Sequence, residues 1–271
     1  EDRSVFPHLR SRDPRLGDVI GRLEEEHDVI SGLLDRIDGA LVAMVQDDIK
    51  KLVAYSSVAH LGFVMLGIFA LNVQGLDGAV LQMVNHGLST GALFLLVGIV
   101  YERRHTREIS QYGGLAHVMP VYASFTLIFF LASMGMPLLN GFIGEFMILA
   151  AAYAVDRVWA YWAVWGVVLG AAYLLWLYQR VFWGKLTHEE NKQLKDLTPR
   201  ELATLVPLAV LCFWIGLYPK PFFDILERPV AEIAARYEQT GQGIAALPTP
   251  AAPVPAGTIA APAPTGSAKS A

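Results

Sequence analysis

Glu145 is an acidic residue in an otherwise apolar stretch, and the run before it disrupts a helix: Met134-Gly135-Met136-Pro137-Leu138-Leu139-Asn140-Gly141-Phe142-Ile143-Gly144. A carboxylate at membrane depth is costly unless it is neutralised, paired or hydrated, so it marks an ion pathway. Irregular backbone at that depth is tolerated only where protein or a wet cavity surrounds it. Half-helix ends near the midplane are where many transporters hold their ions. A half-helix starting at Asn140-Gly141 would favour the carboxylate, whereas dry surroundings would favour the neutral acid. A carboxyl balanced between those effects can load and release a proton. The alternative is a carboxyl that satisfies a neighbouring helix structurally.

Two histidines extend this chemistry. His60 lies about nine residues into one apolar run, and His86 about ten residues into the next from the opposite end. Both therefore fall near mid-membrane, where imidazole can relay protons. A buried histidine can instead be structural, bonded to a backbone carbonyl or to a serine such as Ser56 or Ser89. Two histidines at matching depth beside a buried Glu favour the relay. Lys50 and Lys51 sit at a span boundary, where one can join the proton pathway and at least one acts as a snorkelling anchor.

These residues must be carried by membrane helices. The chain is 54% hydrophobic and 17% charged, below the roughly 25% charged of soluble domains. Apolar runs occupy about 52–71, 77–101, 119–155, 158–183 and 200–218. As one helix, 119–155 would extend about 55 Å, too long for a core of about 30 Å. It is either two spans or one span broken near Met136–Gly141. Loop charge favours the single broken span. Lys50, Lys51, Arg103, Arg104, Arg107, Lys185, Lys192, Lys195 and Arg200 all fall on one side only if 119–155 crosses once. The sequence therefore predicts an all-α membrane protein, a bundle of about five crossings including one broken helix.

The flanks differ. Residues 1–38 are rich in charge and read as a short soluble amphipathic helix, with Leu16, Val19, Ile20, Leu23, Val29, Ile30, Leu33, Leu34 and Ile37 at helical spacing and nothing obvious in the chain to pack against. After Tyr218-Pro219-Lys220-Pro221, residues 222–240 read as an interfacial helix with Phe222, Phe223, Ile225, Leu226, Val230 and Ile233 on its apolar side. Residues 241–271 read as a disordered Pro- and Ala-rich tail. The start at Glu1, without Met or signal pattern, fits a fragment or processed form. The single Cys212 offers no Cys-based metal site, and the net charge of −4 gives no hint of a nucleic-acid partner. No phosphate loop, nucleophile triad or redox-centre motif appears, so no cofactor is expected.

From about Gly39 to Tyr237 the chain resembles the antiporter-like membrane subunits of respiratory NADH-quinone oxidoreductase (complex I), subunit M among them. The matching stretches are Asp48 through Phe63, Gln82-Met83-Val84-Asn85-His86-Gly87-Leu88-Ser89, Leu93-Phe94 with Tyr101 through Arg107, and Gly135-Met136-Pro137 to Gly144-Glu145-Phe146. The resemblance implies that Glu145 is the glutamate of the family's second broken helix, and that His60 and His86 are its two intramembrane histidines. It also implies a domain over 39–240 that translocates protons without redox chemistry of its own. Its partners would be the other membrane subunits of complex I and the lipid bilayer, in the cell's inner (plasma) membrane. Related cation/proton antiporters and membrane-bound hydrogenases share this fold and are the alternative. The family's preceding inverted repeat is not found in this sequence. Residues 1–38 are instead similar to part of a hemerythrin-type bundle, in which Glu1 and His27 would be iron ligands. Two ligands do not fill a di-iron site; a hemerythrin-like metal-binding protein is the further alternative this stretch implies.

Overall fold

The structure, a computed structural model, describes residues 17–245, with side chains over 29–236. Glu1, the side chain of His27 and the Pro-rich tail lie outside the described residues. The order of helices is α1 (Gly17–Met44), α2 (Ile49–Phe69), α3 (Val73–Arg104), α4 (Pro120–Ser133), α5 (Asn140–Val155), α6 (Arg157–Phe182), α7 (Pro199–Leu217) and α8 (Lys220–Ala245). Four of them, α2, α3, α6 and α7, are each long and apolar enough to cross a bilayer.

The helix ends follow local chemistry. Asp48 accepts from the amides of Lys50 and Lys51 to start α2, and Asn72 accepts from Gly75 N to start α3. His105, left-handed at φ 53°, closes α3. A capping box of Thr198 and Glu201, with Pro199 at the first helical position, starts α7. The amino end of α4 is capped from a distant loop: Asp196 accepts from Val121 N at 2.8 Å and Tyr122 N at 3.0 Å. Replacing Asp196 with Ala should lower stability by about 1 kcal/mol, the usual value of a helix cap. A thermal melt that matches the parent would show that this cap carries no stability.

The pair α4–α5 runs in one direction with a break at its middle, the arrangement that loop charge predicts for a broken crossing. Its contacts climb α3 in a single antiparallel register. Tyr122 donates to Leu96 O, Asn140 pairs with Asn85, Gly144 lies against Gln82, Ile148 against Gly78 and Ala151 against Gly75. Two antiparallel crossings would have reversed that order at the break. The break itself spans Met134 to Leu139. Its amides are met locally, Met134 by Phe130 O at 2.9 Å and Met136 by Leu131 O at 3.0 Å. Gly135 (φ 71°) and Leu138 (φ 78°) turn the chain there.

The basic loops also meet at one end. Arg103 forms a two-pronged pair with Glu201 at 2.8 and 2.7 Å and donates to the carbonyls of Lys195 and Asp196. Arg104 binds Asn191 and Glu190, and Arg107 lies 3.4 Å from Asp48. Bidentate geometry fixes the loop between α6 and α7 against the end of α3.

Two apolar cores are separated by a polar layer. The larger core joins Ala40 and Ala43 of α1, Ile49 to Ala59 of α2, Ala92 to Val100 of α3, α4, and Tyr173 to Phe182 of α6 with α7. The smaller joins Val29 and Leu33 of α1, Phe63 and Leu66 of α2, Ile148 and Ala152 of α5, and Ala160 and Ala163 of α6. Between them lie the buried polar residues Arg36, His60, Gln82, Asn85, Ser89, Thr90, Ser133, Asn140 and Glu145. Each core is thus built on one side of the same level.

The first helix departs from the sequence reading. It runs without interruption from Gly17 to Met44 and packs along α2 and α6 rather than standing apart. The reason is small residues: Gly32 meets Gly62, and Gly39 meets Ala59. Glycine and alanine at these crossings let two backbones approach, the usual device of helix pairs in membranes. The last helix, α8, turns Val230 and Ala234 inward against the start of α3 and leaves Ile225 and Ile233 exposed. Its apolar side is therefore split between bundle and surroundings. Trp162, Trp165 and Trp176 of α6 and the adjoining Trp183 face outward, as lipid contacts or headgroup anchors do.

Candidate functional site

The polar layer gathers its chemistry around Glu145. The helix break places Asn140 at the first position of α5, and a turn and a half later the Glu145 side chain points into the bundle, 4% exposed. Gln82 donates its amide to Glu145 Oε1 at 3.3 Å. His60 Nδ1 lies 3.2 Å from the same oxygen, in ion-pair range, although the ring is not aligned for a hydrogen bond. Gly135 brings the broken backbone close to the other oxygen, where a Cβ would stand 2.7 Å from Oε2.

His86 continues the line from α3. Its ring centroid is 5.2 Å from that of His60, with the planes tilted by 39°, and Thr90 Oγ1 lies 3.1 Å from its Nδ1. His60 is buried, whereas His86 is half-buried and opens toward the flank of the bundle. The order Glu145, His60, His86 thus leads from the helix break to an edge. Imidazole has two nitrogens and can accept at one while releasing from the other, which is what a relay needs.

The scaffold of this line is held by Asn85 and Asn140. Asn85 Nδ2 donates to Asn140 O at 2.8 Å, and Asn140 Nδ2 donates to Asn85 O at 3.3 Å. This reciprocal clamp fixes the start of α5 on α3, and with it the position of Glu145. Ser89 adds a bond to Asn85 O at 3.1 Å. Beside Glu145 is a small cavity lined by Arg36, Ala59, His60, Ser133, Met134, Gly166, Val167, Gly170 and Tyr173. It leaves about 10 Å³ for the centre of a water, room for roughly one molecule.

Of the residues singled out from the sequence, Glu145, His60 and His86 converge. Lys50 does not join them. It is exposed at the amino end of α2, about ten residues and about 15 Å of helix before His60. Gln82, Asn85 and Thr90 carry no assigned role in the sequence reading, and Ser89 enters it only as a possible histidine partner. With His86 they recur at three- and four-residue spacing, and that polar stripe on an apolar helix is the signal that marks them. Arg36 is the other omission.

An all-helical membrane bundle with a broken helix pair and a buried carboxyl–imidazole line at the break places this chain among multi-helix membrane proteins. The sequence pattern of the family described as "NADH:quinone oxidoreductase/Mrp antiporter, TM" matches residues 28–170, and the chain belongs to that family. It is 48% identical over 198 residues to NADH-quinone oxidoreductase subunit M of Rhodobacter capsulatus, a match covering 73% of this chain and 39% of that protein. A solved structure of respiratory complex I from Thermus thermophilus with bound NADH includes a chain of similar fold, with TM-score 0.73 and 34% identity, over 79% of this chain and 45% of that one. The membrane-bound sulfane sulfur reductase, an archaeal respiratory membrane complex, includes another at TM-score 0.67 and 27% identity, over 72% of this chain and 32% of that one. The chain therefore spans about two fifths of the length of the curated relatives it matches, 39% of the first and 41% of the second.

Proposed function

We propose that this chain contributes to proton translocation in the membrane part of an NADH-quinone oxidoreductase, beside other membrane subunits of that complex in the cell's inner membrane. The observation that carries the reading is the approach of His60 Nδ1 to Glu145 Oε1, 3.2 Å, at the break of a membrane helix. In this reading Glu145 loads a proton, His60 exchanges it, and His86 passes it to or from the flank of the bundle. Lys50, at the exposed end of α2, takes part only at the mouth of such a path. In this reading electron transfer elsewhere in the complex drives the chain, which needs no cofactor of its own for the proton step.

Replacing Glu145 with Gln keeps the shape and removes the ionisable proton. In a full-length counterpart assembled with its complex, it should reduce quinone-linked proton pumping by about tenfold or more, while subunit assembly stays intact. Pumping at the parent rate would refute the role of Glu145. The likeness to the sulfane sulfur reductase complex supports a second reading, an antiporter-like subunit of another membrane complex. The same substitution would then impair cation/proton exchange and leave quinone-linked pumping out of account.

A further inference from the structure

Arg36 stands in the polar layer on the side of α1. Above and below it on the same helix, Val29 and Leu33 enter the smaller core, and Ala40 and Ala43 the larger. The side chain is 3% exposed. Its guanidinium lies 3.6 Å over the Phe63 ring, and its stem occupies the space that Gly166 leaves by having no side chain. Neither Nε nor Nη1 has a hydrogen-bond partner.

A guanidinium stays charged in any ordinary setting. Removed from water without a counter-charge, it costs more than stacking on one aromatic ring returns. The nearby carboxylates on α1, Asp35 and Asp38, are exposed and face away from this layer. Around the water-sized cavity, α5 contributes Glu145, α2 contributes His60, and α6 contributes Tyr173. His86 of α3 lies behind His60. Among the lining residues the acidic one is Glu145.

We propose that Arg36 is the counter-charge of Glu145, acting across this cavity, so that α1 supplies a fixed positive charge to the site. Arg36 is then a positioning residue, working through Glu145 and not through a proton of its own. The carboxylate is held by a permanent cation on one side and by Gln82 on another, and His60 is the neighbour that can change its charge. The pairing also makes the docking of α1 depend on the ionised state of Glu145. This deepens the proton-site reading but concerns charge alone, so it is testable without any transport assay.

The test is a double-mutant cycle on the whole chain in detergent, read as thermal midpoints of the parent, Arg36→Met, Arg36→Lys, Glu145→Gln and the Arg36→Met/Glu145→Gln pair. Arg36→Met leaves a buried carboxylate unpaired and should lower the midpoint by roughly 10 °C. Adding Glu145→Gln should restore about half of that loss or more, and Arg36→Lys should keep most of the parent midpoint. If Arg36 serves only by packing on Phe63 and Gly166, the two losses will add and Glu145→Gln will rescue nothing, which overturns the pairing. Should Arg36→Met fail to fold, a cooperative melt in the double variant supports the pairing and its absence overturns it. A Glu145→Gln variant that still pumps would remove the proton role while leaving this cycle to stand or fall by itself.

Discussion

Replacing Gly141 with Ala should lower the stability of the chain by about 1–3 kcal/mol, the cost of forcing an atom into a packed site. A Cβ at Gly141 would run into the carbonyl oxygen of Ala132 and come within 3.6 Å of the Gly135 Cα. Both are backbone atoms and cannot swing aside as a flexible side chain would. The end of α4 and the start of α5 must then separate. Gly135 lies directly against the Glu145 carboxyl, so the separation reaches the site itself. A thermal melt in detergent should show a midpoint lower by about 2–10 °C for a chain of this size. A useful contrast is Gly91→Ala, where a Cβ meets nothing within 4 Å and a helical Gly→Ala change should instead stabilise by about 0.5–1 kcal/mol. Equal midpoints for parent and Gly141→Ala would show that the break tolerates a side chain and is not closely packed.

The break was legible in the sequence because two physical limits meet there. An apolar run too long for one crossing, with basic loops that must share a side, leaves a single discontinuous helix as the consistent solution. The half-helix start at Asn140 and the convergence of Glu145, His60 and His86 follow from depth counted along each run, which is a one-dimensional quantity. What faces sideways is different. Arg36 was invisible because residues 1–38 are charged on average, and an average cannot show which charge turns inward. The clue lay in pairs of positions: Gly32 and Gly39 on α1 fit Gly62 and Ala59 on α2, and Gly166 on α6 leaves space for the Arg36 stem. Such complementarity is a property of two helices together. Lys50 shows the converse, since a residue near the chemistry in sequence is carried to the exposed end of its helix. For α8, helical spacing identified an amphipathic face, but packing against α3 selected Val230 and Ala234 and left Ile225 and Ile233 outside.

Substituting Leu for Gly62 should detach α1 from the bundle. A Cβ at Gly62 would meet Gly32 O and stand 2.9 Å from Arg36 N, both backbone atoms of α1 that cannot swing aside. A leucine adds further carbons beyond that Cβ, so accommodation requires α1 to move as a body, at about 3 kcal/mol or more. Moving α1 withdraws Arg36 from the polar layer and opens the smaller core at Val29 and Leu33. Limited proteolysis with trypsin reads this directly. The bond after Arg36 is protected in the parent, whose side chain is 3% exposed, and should be cut about a hundredfold faster in Gly62→Leu if cleavage follows the population of the open form. Cleavage after Arg157, which is exposed in the parent, serves as the internal standard and should not change. Equal protection at Arg36 would mean that α1 and α2 can yield without separating, and that the small residues between them do not set the contact. Because the guanidinium leaves with the helix, Gly62→Leu should also reproduce part of the Arg36→Met loss and respond in the same direction to Glu145→Gln. That ties a packing contact on one side of the polar layer to the charge at its centre.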